Sequence, residues 1–416
     1  MANSMAAVQA RGKKPSDVIF KTSAKAQADI KALGKDKVVN GTVGAILDEN
    51  GDLVMLKAVR DELLNLPTQD LVGYAPIEGV KEYLEAVQDA CFDEFKPEAY
   101  TQAIAIAGGT GGVHHLVHNY TALGDTVLVS DWHWAAYNSI CRDNGRDLTT
   151  FDLFDGKNEF NHASFQAKVN ELAAKQENVL LILNTPGNNP TGFTVTDKDW
   201  DTILDFLKHL VNAGKNKIII GIDVAYLDYS GPKKDVRRFF KKLGGLPASI
   251  LSVVCYSMSK GFTMYGQRCG AMIGISSDSD VAQEFFDINK LTSRATWSNI
   301  CRPPMRVLSN IMSDANKLKA YDEERNSYCD LIEERAHIFM KEGEALGLPT
   351  LPYVGGFFLT VPTQKGKDVC ALLEKEHIYM IALANGIRIA ACGIPKAQMK
   401  GLAAKVHAAM VQAGAL

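Results

Sequence analysis

The chain has 416 residues, 46% apolar and 22% charged, a length and balance that suit two packed soluble domains rather than one small one. Its formal net charge of -3 excludes a general nucleic-acid binder, which would present a basic face. No apolar run reaches the roughly 18 residues a membrane-spanning helix needs.

The eight cysteines (Cys91, Cys141, Cys255, Cys269, Cys301, Cys329, Cys370 and Cys392) are scattered, with no C-x-x-C pair. That usage is expected of buried thiols in a reducing compartment, and we read the protein as cytoplasmic. Met1 to Lys14 is basic, lacks acidic residues and has no apolar core of a signal peptide, so it reads as a disordered tail. Helical spacing first appears in Val80, Tyr83, Leu84, Val87 and Cys91.

From about residue 100 to 275, short apolar runs alternate with helical patterns. The runs are Ala103 to Ala107, Thr126 to Ser130, Val179 to Leu183, Ile218 to Ile222, Ile250 to Cys255 and Ala271 to Ile275. Most are rich in Val, Ile and Leu without alternation, as strands buried on both faces are. A long helical stretch then runs from about 303 to Leu346 with one interruption. It is followed by a strand-like Gly356 to Val361 and a final amphipathic helix carrying Met399, Leu402, Val406 and Met410. The expected fold class is α/β: a large, mostly parallel sheet covered by helices over 56–310, and a smaller α+β domain built from 1–55 and 311–416.

In an open α/β sheet, ligands bind beyond the carboxyl ends of the strands, and the unusual residues gather there. After Ala107 comes Gly108-Gly109-Thr110-Gly111-Gly112 opening a helical pattern, a combination that can cradle a phosphate or simply make a tight turn. A dinucleotide fingerprint fits poorly, because its third glycine would fall on His114. Trp134 follows Ser130, where an indole can stack on a flat ligand or fill a core. The segment Asn184 to Gly192 has two prolines and two glycines, with Asn189-Pro190 as its candidate cis bond. Asp223 ends an apolar run, where a carboxylate is costly without a cation, and Tyr226 lies three residues on. Lys260 follows the Ile250 to Cys255 run, where desolvation can free its amine as a nucleophile toward aldehydes. Ser257, Ser259 and the fork of Arg268 suit a phosphate dianion. A single cofactor with a phosphate, an aldehyde and a flat ring whose nitrogen is protonated would use all of these groups.

These residues resemble the class I aminotransferases, fold type I of the pyridoxal 5'-phosphate (PLP) enzymes, in their aspartate and aromatic branch. The resemblance rests on Ser257-x-Ser259-Lys260-x-x-x-x-Tyr265-Gly266-x-Arg268-x-Gly270, on Asn189-Pro190-Thr191-Gly192, and on Asp223-x-Ala225-Tyr226. Their order and separations, 34 residues from Asn189 to Asp223 and 37 from Asp223 to Lys260, agree with that family, and the likeness runs from about Val39 to Arg388.

It implies that Lys260 carries PLP as a Schiff base and shuttles the substrate proton, with Asp223 and Tyr226 completing the catalytic group. Asp223 would pair with the ring nitrogen. Asn189 and Tyr226 would hold the phenolic oxygen, and Trp134 would stack on the ring. Gly109, Thr110, Ser257, Ser259 and Arg268 would hold the phosphate, joined by Tyr74 from a neighbouring subunit of a homodimer. Arg388 would grip the substrate α-carboxylate, Gly44 would lie on a loop closing over it, and Asn189 would also face substrate. Arg294 would reach across the dimer to a distal carboxylate. The implied partners are an amino acid, aspartate or glutamate or an aromatic one, and a 2-oxo acid such as 2-oxoglutarate, used in a ping-pong cycle without nucleic acid or membrane.

Two departures stand out. Tyr137 occupies the place where aspartate aminotransferases have a histidine three residues after the stacking tryptophan, and the arginine segment ends Ile389-Ala390-Ala391-Cys392-Gly393. The alternative readings are a PLP lyase or decarboxylase, and a non-catalytic binding protein on the same fold. His114 and His118, one helical turn apart, read as ordinary helix histidines rather than metal ligands.

Overall fold

The structure, a computed structural model, describes residues 4–14, 18–214 and 216–416. The uninterrupted apolar runs become one sheet of β1 (Tyr100–Ile106), β2 (Thr126–Ser130), β3 (Asp147–Phe151), β4 (Asn178–Asn184), β5 (Lys217–Asp223), β6 (Ile250–Ser257) and β7 (Gly270–Ser276). The strand order is β1-β7-β6-β5-β4-β2-β3. All run parallel except β7, which is antiparallel to both β6 and β1.

β3 is absent from the apolar runs. It sits at the sheet edge and pairs only with β2, so Asp147, Thr149 and Thr150 can stay partly in water without cost to the ladder. Ala107 leaves its expected strand because the chain there turns into the helix Gly108–Tyr120.

Side chains alternate through the sheet. Ile104, Ile106, Val127, Val129, Leu180, Ile182 and Val253 pack on one face with Val113 and Leu116 of Gly108–Tyr120 and Phe285 of the helix Ser279–Thr296. Ala105, Leu128, Leu181, Ile220, Val254 and Ile273 pack on the other with helices that include His162–Ala173, Asp197–Ala213 and Arg302–Met312. A third cluster surrounds β8 (Phe358–Pro362), β9 (Ile381–Ala382) and β10 (Gly386–Ala390), an antiparallel sheet ordered β9-β10-β8.

The interruption expected in the long helical stretch lies at Ser313-Asp314. The Asp314 carboxylate accepts the N–H groups of Asn316 and Lys317, capping a new helix, Ala315–Ala345. That helix contributes Tyr321 to the second of these clusters, the one with Ala105 and Leu128, and Ile332, Ala336 and Phe339 to the third. The final amphipathic pattern is split because Gly401 adopts φ 78, so Lys396–Met399 and Leu402–Gln412 are separate helices. Residues 4–14, within the expected disordered tail, carry a short turn Val8–Ala10 and an ion pair from Lys13 to Asp143 at 2.9 Å; residues 1–3 lie outside the described residues.

Strand register decides what meets at the carboxyl edge. Asn184 is paired with Asp223, Asp223 with Cys255, and Ser257 with Gly270. The asparagine loop, the Asp223 carboxylate and the Lys260 turn therefore emerge side by side, neighbouring strands being about 4.8 Å apart.

Candidate active site

Ser257 ends β6, and its hydroxyl accepts the N–H of Ser259 at 3.3 Å, starting the four-residue helix Met258–Gly261 on which Lys260 sits. From behind, the Tyr321 hydroxyl donates to the Gly261 carbonyl at 3.0 Å, and the Tyr321 ring stacks on Phe262 at 4.7 Å. The Lys260 Nζ donates to the Gly44 carbonyl at 3.0 Å and lies 5.0 Å above the Tyr265 ring. Burial lowers its pKa to about 8, helped by Arg268 and Arg388 and opposed by Cys392 and Asp223.

The Asp223 carboxylate is buried and has two donors. The Tyr137 hydroxyl reaches Oδ2 at 2.7 Å and the Ala225 N–H reaches Oδ1 at 3.1 Å. Burial pushes this carboxyl above its ordinary value, while Tyr137, Ala225 and Lys260 pull it down.

The asparagine loop is held internally. Asn184 donates to the Asp223 carbonyl at 2.8 Å and accepts the Asn189 N–H at 2.6 Å, while Asn188 Nδ2 donates to the carbonyls of Trp132 and Asn184, each at 3.3 Å. The cis bond in this loop is Thr185-Pro186 rather than Asn189-Pro190. Asn189-Pro190 instead lies inside a tight turn closed by the Gly192 N–H on the Asn188 carbonyl at 2.7 Å. The Asn189 amide links two expected site residues: its Nδ2 donates to the Tyr226 hydroxyl and its Oδ1 accepts from Arg388 Nη1, both at 3.2 Å.

Arg388 projects from β10, buried, with its guanidinium 4.2 Å from the Phe358 ring centre and a further bond to the Thr42 carbonyl. Gly44 lies against the same Phe358 ring.

At the other end of the cluster, Arg268 Nη1 donates to the Ser259 hydroxyl at 3.1 Å and the Tyr265 carbonyl at 2.7 Å. No side chain caps the helix Gly108–Tyr120, so the first-turn N–H groups of Gly109 and Thr110 remain available beside Ser257 and Arg268. Gly108 adopts φ +66, and a Cβ there would lie 2.8 Å from Arg268 Nη2. The glycine run thus has two uses. Gly108 keeps the approach to Arg268 open, whereas a Cβ on Gly112 would lie 2.9 Å from the Cys255 sulfur, so that glycine serves close helix-to-sheet packing. The same helix is pinned by His115, whose ring stacks on Trp297 at 4.6 Å with Nε2 3.1 Å from the Ser293 hydroxyl; burial drops its pKa to about 3, leaving it neutral. His114 and His118 stack on each other at 5.8 Å. Trp134, half-buried, meets the Tyr137 ring edge-on at 5.6 Å.

Tyr74 and Arg294 stay outside this cluster. Tyr74 is 89% exposed beside the exposed Leu71 and Val72, its carbonyl held by Arg302 at 3.2 Å. Arg294 is exposed at the end of Ser279–Thr296 and donates to the Ser298 hydroxyl. Two participants went unassigned in the sequence. Tyr265, inside the lysine motif, accepts the Ile46 N–H at 2.9 Å and so ties the Gly44 segment to the Lys260 turn. Phe358 gave no signal beyond belonging to an apolar run.

The sequence family described as aminotransferase class I and II matches residues 36–406. The cytoplasmic aspartate aminotransferase of Dictyostelium discoideum is 26% identical over 88% of this chain and 82% of its own length. The aromatic-amino-acid aminotransferase of Escherichia coli is 24% identical over 89% and 93%. Among solved structures, an aminotransferase from Anaerococcus prevotii superposes with a TM-score of 0.95 at 35% identity, covering 97% of this chain and 99% of that one. The aromatic-amino-acid aminotransferase of Burkholderia pseudomallei, covalently bound to pyridoxal phosphate, shares the fold with a TM-score of 0.79 at 22% identity, covering 97% and 100%.

Proposed function

The chain belongs to the class I and II aminotransferase family and is a PLP-dependent aminotransferase, from which premise we propose that it moves an amino group between an aspartate, glutamate or aromatic L-amino acid and a 2-oxo acid such as 2-oxoglutarate, by a ping-pong cycle. The observation that carries this reading is that the Lys260 amine and the Arg388 guanidinium converge on carbonyls of a single segment, Gly44 and Thr42. An amine and a carboxylate-gripping cation are the two groups that must flank an amino acid's Cα.

The donor set fits the cofactor. Arg268, Ser257, Ser259 and the uncapped start of Gly108–Tyr120 match a phosphate dianion, Asp223 a protonated ring nitrogen, Asn189 and Tyr226 a phenolic oxygen, and Trp134 a ring face. PLP, when bound, supplies an aldehyde and an electron-withdrawing ring. Asp223 keeps that ring's nitrogen paired with a carboxylate. Lys260, whose pKa burial lowers to about 8, would be the amine that holds the cofactor through its aldehyde, and its amino group would carry the proton to and from the substrate Cα. Arg388 orients the substrate by its α-carboxylate, and Gly44 lets the covering loop approach.

Tyr74 and Arg294 act across a homodimer in this proposal, a role supported by the exposure of both and by the exposed Leu71 and Val72 just before Tyr74. The division into a PLP-binding part, 56–310, and a smaller part from 1–55 and 311–416 is supported by the separate apolar cluster around β8–β10. A reducing, cytoplasmic setting is supported by all eight cysteines being free. No helix among the described residues is long and apolar enough to cross a membrane.

The test is single-turnover. PLP-loaded protein is mixed with L-aspartate, L-glutamate, L-phenylalanine or L-tyrosine without oxo acid, and the oxo acid released is counted. One equivalent per site is expected from at least one of these donors. Release of carbon dioxide or of ammonia without a matching change in the cofactor would overturn the assignment.

A further inference from the structure

We propose that Tyr137 is a positioning residue for this reaction: its phenolic O–H holds the Asp223 carboxylate in its ionised form and aims it at the cofactor's ring nitrogen. Tyr137 is 1% exposed, lies in the first turn of the helix Ala136–Asp143, and donates to Asp223 Oδ2 at 2.7 Å, while Oδ1 is taken by the Ala225 N–H. Among the described residues the phenol is thus the only side-chain donor hydrogen-bonded to Asp223, whose carboxyl burial drives toward its protonated form.

The nearest histidine does not compete for this position. His133 stacks on the Tyr137 ring at 6.3 Å, but its Nδ1 is 2.7 Å from the Ser130 carbonyl and its Nε2 faces Asn138 Nδ2 at 2.8 Å. Those partners suit one neutral tautomer, and burial lowers its pKa against the raising influence of the Ser130 carbonyl. The remaining titratable groups facing this pair are Cys255 on β6, Tyr226, and Lys260. Burial keeps the Cys255 thiol, the Tyr226 hydroxyl and Tyr137 itself protonated well past neutrality. Between mildly acidic and mildly alkaline pH, Asp223 therefore faces a donor whose charge never changes. A titrating imidazole there would instead vary the strength of the pairing with pH.

Tyr137→Phe removes the hydroxyl and keeps the ring packed against Trp134 and His133. The sign follows from the two opposing influences: burial raises the Asp223 pKa and the phenol lowers it, so losing the phenol raises it further. The variant's carboxyl then takes up a proton on the acidic side, while on the alkaline side both proteins carry the same carboxylate.

The inference rests on the proposed pairing of Asp223 with PLP, and equilibrium dialysis of PLP against PLP-free protein separates the two ideas. Tyr137→Phe is expected to weaken PLP roughly tenfold at about pH 6 and less than about twofold at about pH 8.5, relative to the parent at each pH. The cofactor's phosphate titrates alike in both proteins, and any change at Lys260 arises through its coupling to Asp223, so the ratio reports Asp223. An equal loss at the two pH values, or none at either, overturns the role of Tyr137. Asp223→Ala is expected to weaken PLP at both; if it does not, the pairing of Asp223 with the cofactor is what fails.

Discussion

The two halves of the proposed site, one assigned to the cofactor and one to the substrate, are held in different ways. The cofactor side, from Gly108 through Asp223 to Arg268, hangs on one seven-stranded ladder, and backbone register sets the spacing of Asn184, Asp223 and Ser257. The substrate side, Gly44, Phe358 and Arg388, belongs to another sheet and an irregular segment, and meets the first side through scattered bonds rather than a ladder, among them Lys260 to Gly44, Ile46 to Tyr265, Arg388 to Asn189, Thr360 to the Pro190 carbonyl, and Val354 and Gly355 to the Gly192 carbonyl. Shifting the first half requires breaking a ladder, whereas shifting the second requires breaking separate loop and side-chain bonds. The cofactor site is accordingly a fixed frame, and the substrate site is adjustable against it.

The largest effect that bears on this contrast belongs to the residue standing between the halves. Lys260→Ala removes both the nucleophile and the proton carrier, and steady-state transamination should fall by at least about 10⁴-fold; turnover near the parent level would end the assignment of that lysine. Next comes Arg388→Lys, which keeps the charge but loses the planar fork. The KM for the amino donor should rise roughly 10- to 100-fold, while PLP affinity measured by dialysis should move less than about twofold. A parallel loss of PLP affinity would show that the halves are not separable. The smallest effect is expected inside the frame. Gly108→Ala sets a Cβ against Arg268 and strains a positive φ, and should weaken PLP about tenfold while leaving KM for the donor near the parent value. Unchanged PLP affinity would mean that the frame yields locally.

The same contrast explains what could be read before the fold was known. Buried strands announce themselves as unbroken Val, Ile and Leu runs, and chemistry placed just after them, Asp223 and Lys260 above all, is legible because strand ends are where a parallel sheet binds. β3 was missed since an edge strand has no need of that composition. The position of the cis proline depended on which turn the loop's own hydrogen bonds select, between Asn184, Asn188 and Asn189, and both X-Pro bonds look alike in the sequence. Phe358 was invisible as a site residue because its contact with Arg388 joins chain positions that only the folded sheet brings together. Tyr137 was noticed as a substitution, but that its hydroxyl reaches Asp223 follows from the approach of the helix Ala136–Asp143 to β5.

The helix Ala315–Ala345 has one end braced against the Lys260 turn through Tyr321 and the other packed beneath β8–β10 through Ile332 and Phe339. At about 1.5 Å per residue, Tyr321 and Phe339 lie roughly 27 Å apart along its axis, so a tilt of about 5° pivoting at Tyr321 sweeps Phe339 through about 2 Å. Mechanically the helix is a lever arm with its fulcrum beside the Lys260 turn. A rotation small enough to leave every bond at the pivot intact is geared up into a displacement large enough to part a hydrogen bond at the far end.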